Sequence, residues 1–131
     1  MANIKKLEMG KAVSALPYIN IEKSFFGLKQ TIVYKPTNSE VQIVQYEYAA
    51  DNGAMIQKLL NTKPSEAAEL AEKVSMLDKT PMGNFRLDAC VSADKQFVAL
   101  QLFQYSNLMF HPATDVKVYQ GEDAKLMASI L

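Results

Sequence analysis

The residues able to do chemistry are few and far apart. His111, Cys90 and Arg86 are each the only residue of their type in 131 positions. A catalytic triad would need His111 beside a serine and a carboxylate. Asp115 lies four residues on, but Pro112 and Thr114 argue against a helix that would align the two. The Phe110-His111-Pro112 context reads as a strand exit, and His111 as a turn histidine capping it. Cys90 follows Arg86 and Asp88 at spacings of two in an alternating segment. That spacing puts all three on one strand face, with Arg86 and Asp88 as a local ion pair. Arg86 would favour a thiolate at Cys90, yet a lone cysteine on a sheet more often serves as a small apolar residue. The carboxylates Glu40, Glu47, Asp51, Asp88, Asp94 and Asp115 fall at strand ends or turns, where solvated carboxylates are ordinary.

One histidine and one cysteine cannot build a structural zinc site, and neither CxxC nor HExxH occurs. The five glycines are isolated, so GxGxxG and GxxxxGK phosphate loops are missing too. The expectation is no catalytic residue, no metal and no cofactor. A small-ligand or enzymatic domain would require His111, Asp88 and Cys90 to converge in one pocket.

The aromatic residues form the constellation with most to offer. In 96–105, Val98, Leu100 and Leu102 share one face, and Phe97, Ala99, Gln101, Phe103 and Tyr105 the other. Apolar residues on both faces mark a central strand covered on both sides. In 41–48, Val44, Tyr46 and Tyr48 share a face. If the two aromatic faces adjoin, the sheet presents a Tyr/Phe/Gln surface with three fitting fates: cover by the chain's own N-terminal segment, a subunit interface, or stacking of single-stranded bases. The adjacent Phe25 and Phe26 cannot both point to one side of an extended chain. With Tyr18 they suggest a contact surface near the N-terminus.

These residues need elements to hold them. Ile4–Leu7 and Lys11–Leu16 are candidate short strands, and Tyr18–Ile21 alternates weakly. Leu28–Tyr34 and Val41–Tyr48 read as strands around a turn cluster at 35–39, a hairpin with a long loop. The period then changes. Asp51 and Asn52 are cap-type residues before Met55, Ile56, Leu59 and Leu60 at helical spacing. Pro64 fits the first turn of a second helix with an apolar stripe of Ala67, Leu70, Ala71, Val74 and Leu77. Phe85–Val91 and 96–105 make a hairpin around Ser92–Lys95, and Val116–Tyr119 is a last strand. A terminal helix follows Gly121, with Leu126, Met127, Ile130 and Leu131 facing the core. The order β-β-β-α-α-β-β-β-α predicts a single α+β domain over 1–131, with a mainly antiparallel sheet and helices packed on one face.

Composition limits the partners. Apolar residues make up 49% and charged residues 21%, as in globular chains. No apolar run approaches the ~18 residues that cross a bilayer, so no membrane partner is expected. The start lacks the apolar core of a secretory leader, and a lone cysteine suits a reducing compartment. The chain therefore reads as cytoplasmic. Net charge is zero, with 14 basic and 14 acidic residues, which weighs against a dedicated duplex-DNA binder. Residues 1–35 carry six lysines against two glutamates, net +4, leaving −4 on the remainder. Such asymmetry suits a basic face or a self-complementary contact.

No motif names a family. The leading expectation is a small non-catalytic protein that binds protein, either itself or a larger assembly, through Tyr18, Phe25, Phe26, Phe103 and Tyr105. The alternative is a single-stranded nucleic-acid binder, stacking bases on Tyr46, Tyr48, Phe103 and Tyr105 while Lys5, Lys6, Lys11 and Lys29 hold phosphates.

Overall fold

A computed structural model describes residues 41–131 in full and, for 11–15, 19–23 and 30–34, the pairing of the backbone. The chain divides between Val41 and Gln42 into two compact units. The first contains strands β1 (Lys11–Ala15), β2 (Ile19–Lys23) and β3 (Gln30–Tyr34), antiparallel and in sequential order. Pairing of β1 with β2 shifts by one residue between Ala12 and Ser14, a bulge that bends the strand.

The second unit holds β4 (Val41–Tyr48) apart from its first residue, α1 (Ala50–Leu60), α2 (Ala68–Ser75), β5 (Phe85–Ser92), β6 (Phe97–Ser106), β7 (Met109–Pro112), β8 (Lys117–Gln120) and α3 (Glu122–Ala128). The strands form one antiparallel sheet in the order β4-β5-β6-β7, with β8 also on β6. This is the expected α+β class, with one more described strand on each side of the helix pair. The weakly alternating 18–21 segment contributes to β2. The four residues of β7 are too short a run to stand out by period. A pairing of the third and fourth strands is not among the described ones. β3 has β2 as its neighbour, and β4 has β5.

Alternation explains the layering. Phe85, Leu87, Ala89 and Val91 of β5 and Val98, Leu100 and Leu102 of β6 enter one core cluster. Ile56, Leu59 and Leu60 of α1, Ala71 and Val74 of α2, and Ala124 and Met127 of α3 enter the same cluster. All three helices therefore cover one face. Gly53 of α1 faces Phe85 so closely that a Cβ there would collide with the ring. Asp51 and Asn52 lie inside α1 rather than at its cap, which is Ala49 with no side-chain bond. Asp51 still sits in the first turn, favourable to the helix dipole. Pro64 opens a short 3-10 turn, Pro64–Glu66, ahead of α2.

The two hairpins of β6 differ in their turns. Between β5 and β6, Ser92 Oγ donates to Asp94 Oδ1 and accepts from Phe97 N, while Gln96 N donates to Asp94 Oδ1. These bonds hold Asp94 below the usual carboxylate range, with the Gln96 N–H as the largest cause. Between β6 and β7, Asn107 and Leu108 both have positive φ, 50° and 68°, the signature of a two-residue type I′ turn.

The β7 and β8 strands share one edge of β6. Phe103 pairs with Pro112, and Leu100 with Lys117. Between those pairs the edge holds four residues, 113–116, opposite two. The insertion is held by hydrogen bonds. Ala113 N donates to Leu102 O, Leu102 N donates to Thr114 Oγ1, and Gln101 Nε2 donates to Thr114 O.

Candidate interaction surface

Antiparallel partners share a face, so the register assigns every side chain of β5, β6 and β7. Arg86, Asp88, Cys90, Gln101, Phe103, Tyr105, Phe110 and Pro112 lie opposite the helices. Arg86 Nε donates to Asp88 Oδ1 at 2.7 Å, and Nη2 to Oδ2 at 3.1 Å. This is the expected pair, in two-bond form. The guanidinium carbon also lies 4.6 Å from the Phe103 ring centre and 4.8 Å from that of Phe110. Arg86 is thus fixed by a carboxylate and two rings. Phe110 in turn meets Tyr105 edge-on, with centroids 5.2 Å apart. Sequence reasoning identified Phe103 and Tyr105 but not Phe110, whose place depends on the β6–β7 register.

This aromatic row runs to the end of the sheet, where apolar side chains are exposed. Tyr105 is 43% exposed, Met109 56% and Leu108 89%. Tyr105 N donates to Asn84 O at 2.7 Å, which brings the 81–84 loop to the same end. Met82 in that loop is 91% exposed. Leu108 is doubly unusual. A bulky residue in the left-handed region costs roughly 1–2 kcal/mol, and its side chain gains little burial in return. Glycine is the ordinary residue there.

The remaining candidates lie elsewhere. Tyr48 is fully buried in the helix-side core, and Tyr46 packs against that core. They do not share a face with Phe103 and Tyr105, and β5 separates the two strands. The four aromatics therefore do not form one continuous face: the alternation of β4 turns its tyrosines toward the helices. His111 pairs with Gln104, on the face opposite Asp88 and Cys90. It lies within β7 rather than in a turn, and its Nε2 is 3.0 Å from Ser106 O. Cys90 lies on the expected face but is buried, and burial pushes its thiol up to about 11. Its neutral thiol is favoured, the reverse of a reactive thiolate. His111, Asp88 and Cys90 thus do not converge. Tyr18, Phe25, Phe26, Lys5, Lys6 and Lys29 lie outside the described residues, and Lys11 is described by its backbone pairing in β1 alone.

Among the described residues, no three His, Cys, Asp or Glu side chains group to hold a metal ion, and no helix is long and apolar enough to cross a membrane. Two shallow hollows of about 360 and 390 Å³ lie by Lys63–Pro64 and Lys117–Tyr119, and by Gln45–Glu47 and Lys79–Pro81. Comparison with protein families, curated proteins and solved structures gave no match for this chain.

Proposed function

We propose that this protein is a non-catalytic binding protein that works through protein–protein contacts, as a homo-oligomer or a component of a larger assembly. Its contact surface is the sheet end carrying Tyr105, Leu108 and Met109, backed by Phe103, Phe110 and Arg86. The observation that carries this reading is Leu108. A large apolar side chain, 89% exposed on a left-handed backbone, works against stability twice over. Backbone outliers of this kind cluster where function holds them. Aromatic residues, methionine and arginine are also the types enriched in protein interfaces.

The test compares the native size of the assembly formed in the source cells by the wild-type chain and by a Leu108→Asp variant. Aspartate tolerates the left-handed region better than leucine, so the fold is kept while the apolar tip is lost. The wild-type chain is expected to migrate in a larger species than the variant. Identical migration of the two would contradict the reading.

A further inference from the structure

Asn52-Gly53 is the one Asn-Gly pair in the chain. Asparagine is thermolabile, and a glycine after it has no Cβ to hinder attack on the side-chain amide. In an open chain the Gly53 nitrogen attacks Asn52 Cγ. A C–N bond forms there, the bond to the side-chain nitrogen breaks, and ammonia leaves with the proton shed by the Gly53 amide. The product is a five-membered imide, which water then opens. Opening at the side-chain carbonyl gives aspartate. Opening at the main-chain carbonyl gives isoaspartate, with the backbone running through the side chain.

Packing demands this glycine, and the helix shields it. Gly53 is buried, and a Cβ there would collide with the Phe85 ring. Its N–H donates to Ala49 O at 2.8 Å, the first hydrogen bond of α1. Helical backbone at Asn52 turns that nitrogen away from Cγ, and Asn52 Nδ2 reaches Asp78 O at 3.5 Å. The shield is thin, because a helix end opens more readily than its middle and Ala49 adds no side-chain cap bond. We propose that Asn52 is a deamidation site gated by the first turn of α1, so that isoaspartate there is a one-way record of that turn's opening. Isoaspartate inserts a methylene into the backbone between positions 52 and 53. The bond to Ala49 and the fit of Gly53 on Phe85 are then lost, and the turn does not reclose as before. The inference stands on α1 and its contacts with Phe85 and Asp78, and does not use the surface at the β6–β7 turn.

Peptide mass spectrometry with fragmentation tests it on the full chain aged at neutral pH, native and in urea. Enzymatic methylation of isoaspartate tells the two products apart. In urea, Asn52 is expected to convert ahead of every other asparagine, with isoaspartate among the products. In the native chain its conversion is expected to be about tenfold slower or more. An Ala49→Ser variant carries the sharper prediction. The extended backbone of Ala49, φ −65° and ψ 163°, suits a serine cap, which stabilises the first turn by about 1 kcal/mol. Ala49→Ser should therefore slow native conversion roughly fivefold and leave the rate in urea unchanged. No preference for Asn52 in urea overturns the site. Equal rates in the native chain and in urea, or a native rate indifferent to Ala49→Ser, overturn the gate.

Discussion

Leu108 and Tyr48 are two described residues that local energetics alone would have chosen differently. Leu108 is exposed at φ 68°, so Leu108→Gly is expected to stabilise the fold by about 1 kcal/mol, seen as a higher denaturant midpoint. No change, or a loss, would mean that the leucine side chain has stabilising contacts within the chain. Tyr48 is buried in the core with no hydrogen-bond partner for its hydroxyl among the described residues. A buried unsatisfied hydroxyl costs about 1–3 kcal/mol. Tyr48→Phe is therefore expected to gain roughly 1 kcal/mol; a clear loss would reveal a partner for the hydroxyl. At this scale the sequence was partly legible. The Arg86–Asp88 pair follows from a spacing of two in an alternating strand. The left-handed Leu108 does not, because Asn107-Leu108 lacks the glycine that marks a tight turn. Without that turn, the β6–β7 register and the place of Phe110 could not be derived.

At the scale of elements, the insertion between β7 and β8 depends on Thr114. Its hydroxyl accepts from Leu102 N at 3.2 Å. Thr114→Val keeps the shape and strands that N–H, at an expected cost of about 1–3 kcal/mol in unfolding free energy. A neutral result would show that water replaces the hydroxyl. Helix α1 gives a second test. Alanine is a better helix former than glycine by about 1 kcal/mol, yet a Cβ at Gly53 meets the Phe85 ring. Gly53→Ala is expected to lower stability by about 1–2 kcal/mol net, since overpacking costs about 1–3 kcal/mol. A gain would show that Phe85 moves aside freely. The helices and the β5–β6 hairpin were readable because their periods are long and clean. The partners of β3 and β4 were not, because alternation fixes which face is buried and not which strand lies alongside. The interposition of β5 between Tyr46 and Tyr48 on one side and Phe103 and Tyr105 on the other was hidden for that reason.

For the whole molecule, burial of neutral acids sets the response to alkali. Burial pushes Cys90 from 9.0 to about 11. It is also the main cause that takes Tyr48 and Tyr119 from 10.0 to about 12, helped by neighbouring Tyr46 and Asp123 respectively. The folded values lie above the unfolded ones, so the fold favours the protonated forms. Their contribution is complete below pH 9 and is lost as pH rises from about 9 to about 12. Stability against urea should hold steady in the seventh and eighth pH units and then fall. Cys90→Ala should delay the onset by about one unit, toward the ordinary tyrosine range. A midpoint unchanged up to pH 11 would contradict this account of the core.

Contact between the sheet end at Leu108 and another protein is open to photo-crosslinking in the source cells. A photoreactive phenylalanine analogue is placed at position 108 in one chain and, as a control, at exposed Glu72 in another. One discrete protein adduct is expected from position 108 and none of that mass from position 72. Equal labelling from both positions, or no adduct from position 108, would contradict that contact.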